Sequence, residues 1–307
     1  PRRGDDKPFR YHRLTLRGTS LSRIAYVNGR YLRHSEAAVH IEDRGYQFSD
    51  GVYEVCGVRD GLLMDEDYHL ERLERSLREL RIAMPMAMRS LRHVIREVVR
   101  QNDIYDGMVY LQVTRGVAKR DHPFPNPPVR PALVITAKPL SLSKIAQAVA
   151  QGVAVVTMPD QRWARRDIKS VSLLANILAK QAAREAGAYE AWLVDQDGFV
   201  TEGSSTNAWI VDAEGRVITR PLSADILPGV TRRVLLEAAA REGIEIVERA
   251  FTVEEARHAR EAFISACTAI ITPVVRVDGL AIGNGAPGSV TMRLRAAYDS
   301  ATQTARR

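Results

Sequence analysis

Asp167-Ile168-Lys169-Ser170 leads into the apolar run Val171 to Gln181, and together they read as a lysine at the mouth of a helix. The chain has six lysines, at positions 7, 119, 138, 144, 169 and 180, among 44 basic residues. Arginine fills every other cationic position, and arginine does not lose its proton in proteins. A desolvated lysine can, and it then acts as a base or a Schiff-base nucleophile. Lys169 is therefore the candidate, although this stretch alone leaves a surface or capping role equally open.

At 307 residues the chain is long enough for two cores, because single cores stop growing near that size. Composition is that of an ordinary globular protein, 45% hydrophobic and 26% charged. No apolar run approaches the roughly 20 residues of a membrane-spanning helix, so no membrane partner is expected. Cys56 and Cys267 lie in apolar stretches without metal-ligand spacing, which argues against a disulfide framework or a metal site and for a reducing cytoplasm. The net charge of +7 comes from arginines interleaved with acids. Without a basic stripe or interleaved aromatics, a nucleic-acid partner is not expected. Residues 1–24 are Arg-rich, lack a long apolar segment and include Asp5-Asp6. They read as an extension, neither a secretory signal nor a transit peptide.

Turn and periodicity signals predict the elements. Asn28-Gly29 marks a hairpin over Ile24 to Leu32. Gly51 to Arg59 alternates as a strand, with Tyr53, Val55 and Gly57 on one face and Val52, Glu54, Cys56 and Val58 on the other. Asp65 is placed to cap a helix whose Leu70, Leu73, Leu77 and Leu80 form one apolar stripe, with Pro85 as its stop. A helix over Met88 to Gln101, strands Met108 to Thr114 and Ala132 to Ala137, and a proline-rich loop between them complete the first half. Lys138 to Gln147 reads as the linker, so the expected division is 25–143 and 144–307 after the 1–24 extension. In the second half, strand Val153 to Met158 precedes the Lys169 stretch, whose helix ends at Gly187. Strands Tyr189 to Val194, Ala208 to Val211 and Val217 to Thr219 form an expected antiparallel set. A helix follows from Pro228 to about Glu242, then strand Ile244 to Glu248 and a short helix from Val253 to His258. Strands Ala262 to Ser265 and Val274 to Val277 and a helix from about Gly288 to Ala305 end the series. Hairpins mixed with separated helices predict an α+β fold of two domains.

Two further stretches could carry chemistry. Leu227-Pro228-Gly229-Val230-Thr231 opens a helix, where free N–H groups, a hydroxyl and the positive dipole end suit an anion such as phosphate. Thr201-Glu202-Gly203-Ser204-Ser205-Thr206-Asn207 is a small polar run between strands that can surround a polar ligand. Each reads equally as an ordinary turn or a solvated loop, and Arg72, Arg120, His122 and Tyr53 have plain surface or core readings of their own.

In combination, these segments resemble the class IV aminotransferases of pyridoxal phosphate fold type IV, and within them the D-amino acid aminotransferases. The resemblance spans about residues 25 to 300. Its carriers are Glu42 to Phe48, Asp50 to Val55, His69-Leu70-Glu71-Arg72-Leu73, Arg120-Asp121-His122, Asp167 to Ser170, Thr201 to Ser205, Leu227 to Arg232 and Ile271-Thr272-Pro273. It implies a homodimer that moves an amino group from a D-amino acid to a 2-oxo acid by a ping-pong route. Lys169 would bind pyridoxal 5′-phosphate as a Schiff base and shuttle the proton between the substrate Cα and the cofactor. Glu202 would pair with the pyridine nitrogen, Leu227 pack on the ring, and Arg72, Val230 and Thr231 hold the phosphate. Ser205, Gly229, Cys267 and Thr268 would complete the cofactor contacts. Tyr53 and Val55 would face the substrate, with Arg120 and His122 arriving from the neighbouring subunit to trap its α-carboxylate. Branched-chain and (R)-amine transaminases and aminodeoxychorismate lyases share the fold and remain the alternative.

The chain departs from the resemblance twice. Cys267 stands where the family carries a threonine against the phosphate, and Ile270 where a glutamate precedes Ile-Thr-Pro. The lost hydroxyl implies weaker retention of the cofactor.

Overall fold

The computed structural model describes residues 23–304, so the Arg-rich stretch before Arg23 lies outside the described residues. The chain opens with the hairpin β1 (Ile24–Val27) and β2 (Arg30–Arg33), turned at Asn28 and Gly29, both with positive φ. A short helix, α1 (Arg44–Phe48), leads into β3 (Gly51–Arg59) and β4 (Leu62–Leu63). Helices α2 (Glu66–Glu79) and α3 (Met88–Gln101) are followed by β5 (Gly107–Thr114) and β6 (Ala132–Pro139). These strands make one antiparallel sheet in the order β2-β1-β6-β5-β3-β4. Leu70, Leu73 and Leu77 of α2 and Leu91, Ile95 and Val98 of α3 pack on Val109, Leu111 and Val113 of β5, all essentially inaccessible. The stripe at spacings of three and four thus finds the strand face at spacing two.

The expected linker is largely helical. β6 runs on to Pro139, and α4 (Leu142–Gln151) takes up most of the remainder, capped by Ser141. A second sheet begins at β7 (Val153–Pro159) and continues after α5 (Leu174–Glu185) with β8 (Glu190–Val194), β9 (Val200–Gly203), β10 (Asn207–Val211) and β11 (Val217–Thr219). Then come α6 (Val230–Arg241), β12 (Ile246–Glu248), α7 (Val253–His258), β13 (Glu261–Ala266), β14 (Ile270–Val277), β15 (Leu280–Ala281) and α8 (Ser289–Thr304). Its order is β12-β11-β10-β13-β14-β7-β8-β9, with β15 on β14. The β7–β14, β7–β8 and β11–β12 pairs are parallel and the rest antiparallel. Two mixed layers of sheet and helix make the fold α+β.

Four local expectations are corrected. The Lys169 stretch does not open a helix: α5 starts at Leu174, and Lys169 lies before it outside any helix, at a tight turn in which the Ser170 N–H donates to the Ile168 carbonyl at 2.8 Å. Asp65 does not cap α2 with its side chain but accepts the Tyr298 hydroxyl at 2.8 Å. α2 ends at Glu79, before left-handed Arg81, and not at Pro85. The strands after α5 form two separate hairpins, β8–β9 and β10–β11, on different parts of the sheet. Gly187 meets its expectation: its N–H reaches the Arg184 carbonyl and the next N–H reaches Ala183, closing α5 with a left-handed glycine.

Candidate active site

Lys169 is positioned by the first sheet although it follows a strand of the second. Ile168 is buried in the first core, and Val52 and Ser170 form an isolated antiparallel bridge. The Tyr53 N–H donates to the Lys169 carbonyl at 3.0 Å, and the Val171 N–H donates to the Gly51 carbonyl at 3.0 Å. Arg75 and Arg165 hold the Asp167 carboxylate at 2.5 and 2.9 Å. Burial pushes that carboxyl up, but the two arginines outweigh it and keep the group below the ordinary carboxylate range. The segment is therefore fixed on both sides of the lysine. Lys169 Nζ points into a cavity of about 320 Å³ between the sheets, 3.3 Å from the Tyr53 hydroxyl. That volume suits a small ligand. Tyr53 in turn stacks on Tyr110.

Glu202 lies at the end of β9, and all four residues of that strand are buried, so the first half of the polar run is strand and not solvated loop. Gly203 makes the following turn possible: a Cβ there would stand 2.1 Å from the Thr206 hydroxyl oxygen. The Glu202 carboxylate accepts from Arg162 at 2.5 Å, from Asn207 at 3.0 Å and from the Leu227 N–H at 3.1 Å. Burial pushes the Glu202 carboxyl up, and Arg162 and the Leu227 N–H pull it down without cancelling that effect. Arg162 is shared with Asp160 at 2.7 Å, and the two carboxylates hold its charge against burial. Ser205 turns its hydroxyl to the buried Glu190 at 2.7 Å, and Ser204 bonds to the same carboxylate.

At the other end of the cavity, α6 begins at Val230 with no side-chain cap on its first turn. Free N–H groups and the helix dipole there suit a phosphate. Gly229 cannot carry a side chain, because a Cβ would meet Asn207 Oδ1 at 2.1 Å. Asn207 thereby links Glu202 to this helix start. Arg72 reaches across from α2 with three of its five N–H donors engaged. Two hold Glu54 at 2.8 Å, and one donates to the Pro228 carbonyl at 2.9 Å. His69 Nδ1 is also 2.8 Å from Glu54. Burial opposes ionisation of Glu54, but Arg72 and His69 overcome it and bring the carboxyl down to about 2.

Tyr53, Val55, Arg72, Lys169, Glu202, Ser205, Leu227, Gly229, Val230, Thr231, Cys267 and Thr268 all line this one cavity. Arg120 and His122 do not. The Arg44 guanidinium holds their loop through the Asp121 and His122 carbonyls, at 2.6 and 3.1 Å. Arg120 lies over Phe48, and His122 lines a second cavity with Phe48, Phe124 and Trp163. The sequence reading missed Arg162, Asn207, Glu190 and Glu54 as site residues. For Glu54 a signal existed: a carboxylate on the apolar face of a strand requires a buried partner.

A lysine amine, a buried carboxylate and an uncapped helix start converge on one cavity, and this donor set fits pyridoxal phosphate. The comparisons agree. Residues 51–277 match the family model for amino-transferase class IV. The chain is 41% identical to the D-alanine aminotransferase of Bacillus licheniformis over 273 residues, 89% of this chain and 95% of that one. It is 39% identical to the Staphylococcus haemolyticus enzyme of the same name, over 89% and 96%. Among solved structures, the branched-chain amino acid aminotransferase of Escherichia coli superposes with a TM-score of 0.84 at 26% identity, covering 92% of this chain and 95% of that one. The T.th. branched-chain amino acid aminotransferase, solved with pyridoxamine 5′-phosphate, gives 0.83 at 26%, over 92% and 95%. With the family model covering both the lysine and the helix start, and relatives matched over nearly their whole length, the chain belongs to the class IV aminotransferases, enzymes that use pyridoxal phosphate.

Proposed function

We propose that the protein transfers the amino group of a D-amino acid to a 2-oxo acid, with D-alanine and 2-oxoglutarate as the first pair to test. The observation that carries this choice is the match to D-alanine aminotransferases at 41% identity over 89% of the chain, against 26% for the branched-chain structures. Pyridoxal phosphate supplies the electron sink that stabilises negative charge left on the substrate Cα. Lys169 Nζ is the group that holds the cofactor and then takes and returns the Cα proton, and the Tyr53 hydroxyl beside it orients that amine. Glu202 keeps the pyridine nitrogen protonated, Arg162 fixing the carboxylate in place. Leu227 packs on the ring. The first turn of α6 at Gly229, Val230 and Thr231 would take the phosphate, with the two spare Arg72 donors, Thr268 and the Cys267 backbone around it, while Ser205 lines the same cavity with its hydroxyl turned to Glu190. Val55 borders the substrate. Cys267 leaves this cradle without the hydroxyl that a threonine would supply.

The working protein is a homodimer in the cytoplasm, in this reading. An apolar face of α5, Leu174, Ile177 and Leu178, is more than half exposed, and Arg120 and His122 are left for a neighbouring subunit's substrate carboxylate. No described helix is long and apolar enough to cross a membrane. The division at 143/144 falls within α4, between the last strand of one sheet and the first of the other.

A donor screen with resolved enantiomers tests the substrate assignment. Turnover of D-alanine or D-glutamate is expected, and good turnover of L-leucine with none of the D-donors would replace it with the branched-chain reading. Lys169→Ala is expected to abolish transamination and, after borohydride treatment, to leave no cofactor mass on its peptide. An active variant would overturn the role of the lysine.

A further inference from the structure

The segment between β7 and Lys169 is tied to the end of β9 by a row of alternating charges. The row starts in the cavity at Glu202, which accepts from Arg162 Nη1 at 2.5 Å. The same guanidinium turns its other edge to Asp160, where Nε donates to one carboxylate oxygen at 2.9 Å and Nη2 to the other at 2.7 Å. Asp160 also accepts the hydroxyl of Thr201, the neighbour of Glu202, at 2.8 Å, and its side chain is closed to solvent. From Asp160 the row passes to Arg166 at 3.5 Å, then to Asp225 at 2.8 Å, Arg220 at 3.2 Å and Asp195 at 2.7 Å, just past β8. Four carboxylates thus alternate with three guanidiniums, and the row is one positive charge short of balance. The neighbouring cluster has no such deficit: Arg75 and Arg165 meet Asp167 and Glu79, two against two.

The deficit falls at the Glu202 end for a geometric reason. Asp160 takes two parallel N–H bonds from Arg162, the paired contact that a guanidinium makes best, and Glu202 takes one. At the far end Asp225 and Asp195 reach solvent, which screens their charge, whereas Glu202 is buried and needs a cation beside it. The two buried carboxylates are accordingly driven apart. Burial opposes ionisation of Asp160, but Arg162 and Thr201 outweigh it and keep that group below the ordinary carboxylate range. Glu202 goes the other way, raised by burial and further by the Asp160 charge. Such a separation makes Asp160 the fixed charge and Glu202 the group that deals with a proton. We propose that Asp160 is a positioning residue of the reaction: by taking most of the Arg162 charge, it leaves Glu202 to be balanced by the protonated ring nitrogen of the cofactor. This rests on the reading of Glu202 as the partner of that nitrogen, and adds the residue that sets how strongly the proton is held. Without the Asp160 charge the whole guanidinium faces Glu202, and the ring proton is held less strongly.

The test loads the full chain with pyridoxal phosphate carrying nitrogen-15 in the ring and reads the ring-nitrogen resonance, beside donor kinetics. In the wild type that resonance should lie at the protonated position. Asp160→Asn, which keeps the size of the side chain, should move it toward the unprotonated position and lower kcat several-fold with little change in the donor KM. Asp225→Asn, at a partly exposed position, should fold normally and give a smaller displacement in the same direction, because Arg166 then turns its charge on Asp160 alone. A resonance that stays in place in both variants would overturn the role of Asp160, whatever happens to stability. Should Asp160→Asn fail to fold, Asp225→Asn decides. Glu202→Gln separates the proposal from the reading beneath it and should displace the resonance further than either aspartate variant. If it does so while the aspartate variants do not, the role of Asp160 alone fails. If the wild-type nitrogen is unprotonated, or Glu202→Gln leaves it unmoved, Glu202 is not the partner of the ring and both fail.

Discussion

Glu54 shows how much of the site rests on one residue that does not line the cavity. Its buried carboxylate carries both Arg72 and His69, so removing it strands two cations in the core. Glu54→Gln is expected to cost on the order of 3–5 kcal/mol in urea unfolding at pH 7, and a loss below about 1 kcal/mol would show the trio to be dispensable. The pH dependence follows from the sign of the shift. A carboxyl at about 2 in the folded protein, against an ordinary value of 4.5, stabilises the fold above 4.5 and loses that contribution as the pH falls toward 2. The variant should flatten this acid limb. Cys267→Thr acts in the opposite direction on the cofactor, since a hydroxyl toward the phosphate adds a hydrogen bond to a charged group, worth about 1.5 kcal/mol. Pyridoxal phosphate should then dissociate roughly tenfold more slowly, as gel filtration would reveal, and no slowing would remove the hydroxyl from the account. Lys169 stands out in the sequence as one of few lysines, whereas Glu202 and Arg72 have ordinary loop and surface readings by themselves and acquire roles only through the family resemblance. Arg162 could not be found there, being one of 38 arginines, and its pairing with Glu202, 40 residues away, exists only once the chain after β7 is brought beside β9.

The start of α6 depends on a close approach that no periodicity reports. Asn207, on β10, occupies the space where a side chain at position 229 would go, and it bonds to Glu202 and the Leu227 carbonyl. Gly229→Ala must therefore displace either Asn207 or the first turn of the helix. Weaker cofactor retention with a nearly unchanged unfolding midpoint is the expected result, since the lesion is confined to the cavity wall. A wild-type retention time with the variant would show the cradle to be more yielding than the geometry implies. The elements read correctly from sequence are those with a local signal, such as the leucine stripe of α2 and the alternation of β3 and β5. Those misread are governed by distant partners. β9 has the composition of a polar loop and becomes a strand because β8 pairs with it under full burial. The chain at Lys169 resembles a helix start, yet its N–H and carbonyl groups are claimed by β3 and α2, which delays α5 to Leu174.

At the level of the whole molecule, the cavity gathers the residues proposed for the cofactor, while Arg120 and His122, proposed for the substrate carboxylate, do not line it, although the cavity that His122 borders shares Trp163, Ser170 and Ser172 with it. Arg120 and His122 are held over α1 by Arg44 and do not reach the Lys169 cavity of their own chain. If each loop serves its neighbour, two defective chains can repair one another. Lys169→Ala lacks the amine but keeps a sound loop, and Arg120→Ala keeps the amine but lacks the loop. In a mixed dimer, the site with the intact lysine receives an intact Arg120 from the other chain, and the second site carries both defects. Random exchange of subunits makes half the dimers mixed, so a one-to-one mixture should recover about a quarter of the wild-type activity, from two preparations that have little or none alone. Ile177→Glu, in the exposed face of α5, should give a monomer in sedimentation that keeps its helical signal and cannot complement. A mixture that stays inactive, although mass spectrometry finds mixed dimers, would mean that each chain closes its own loop over its own substrate.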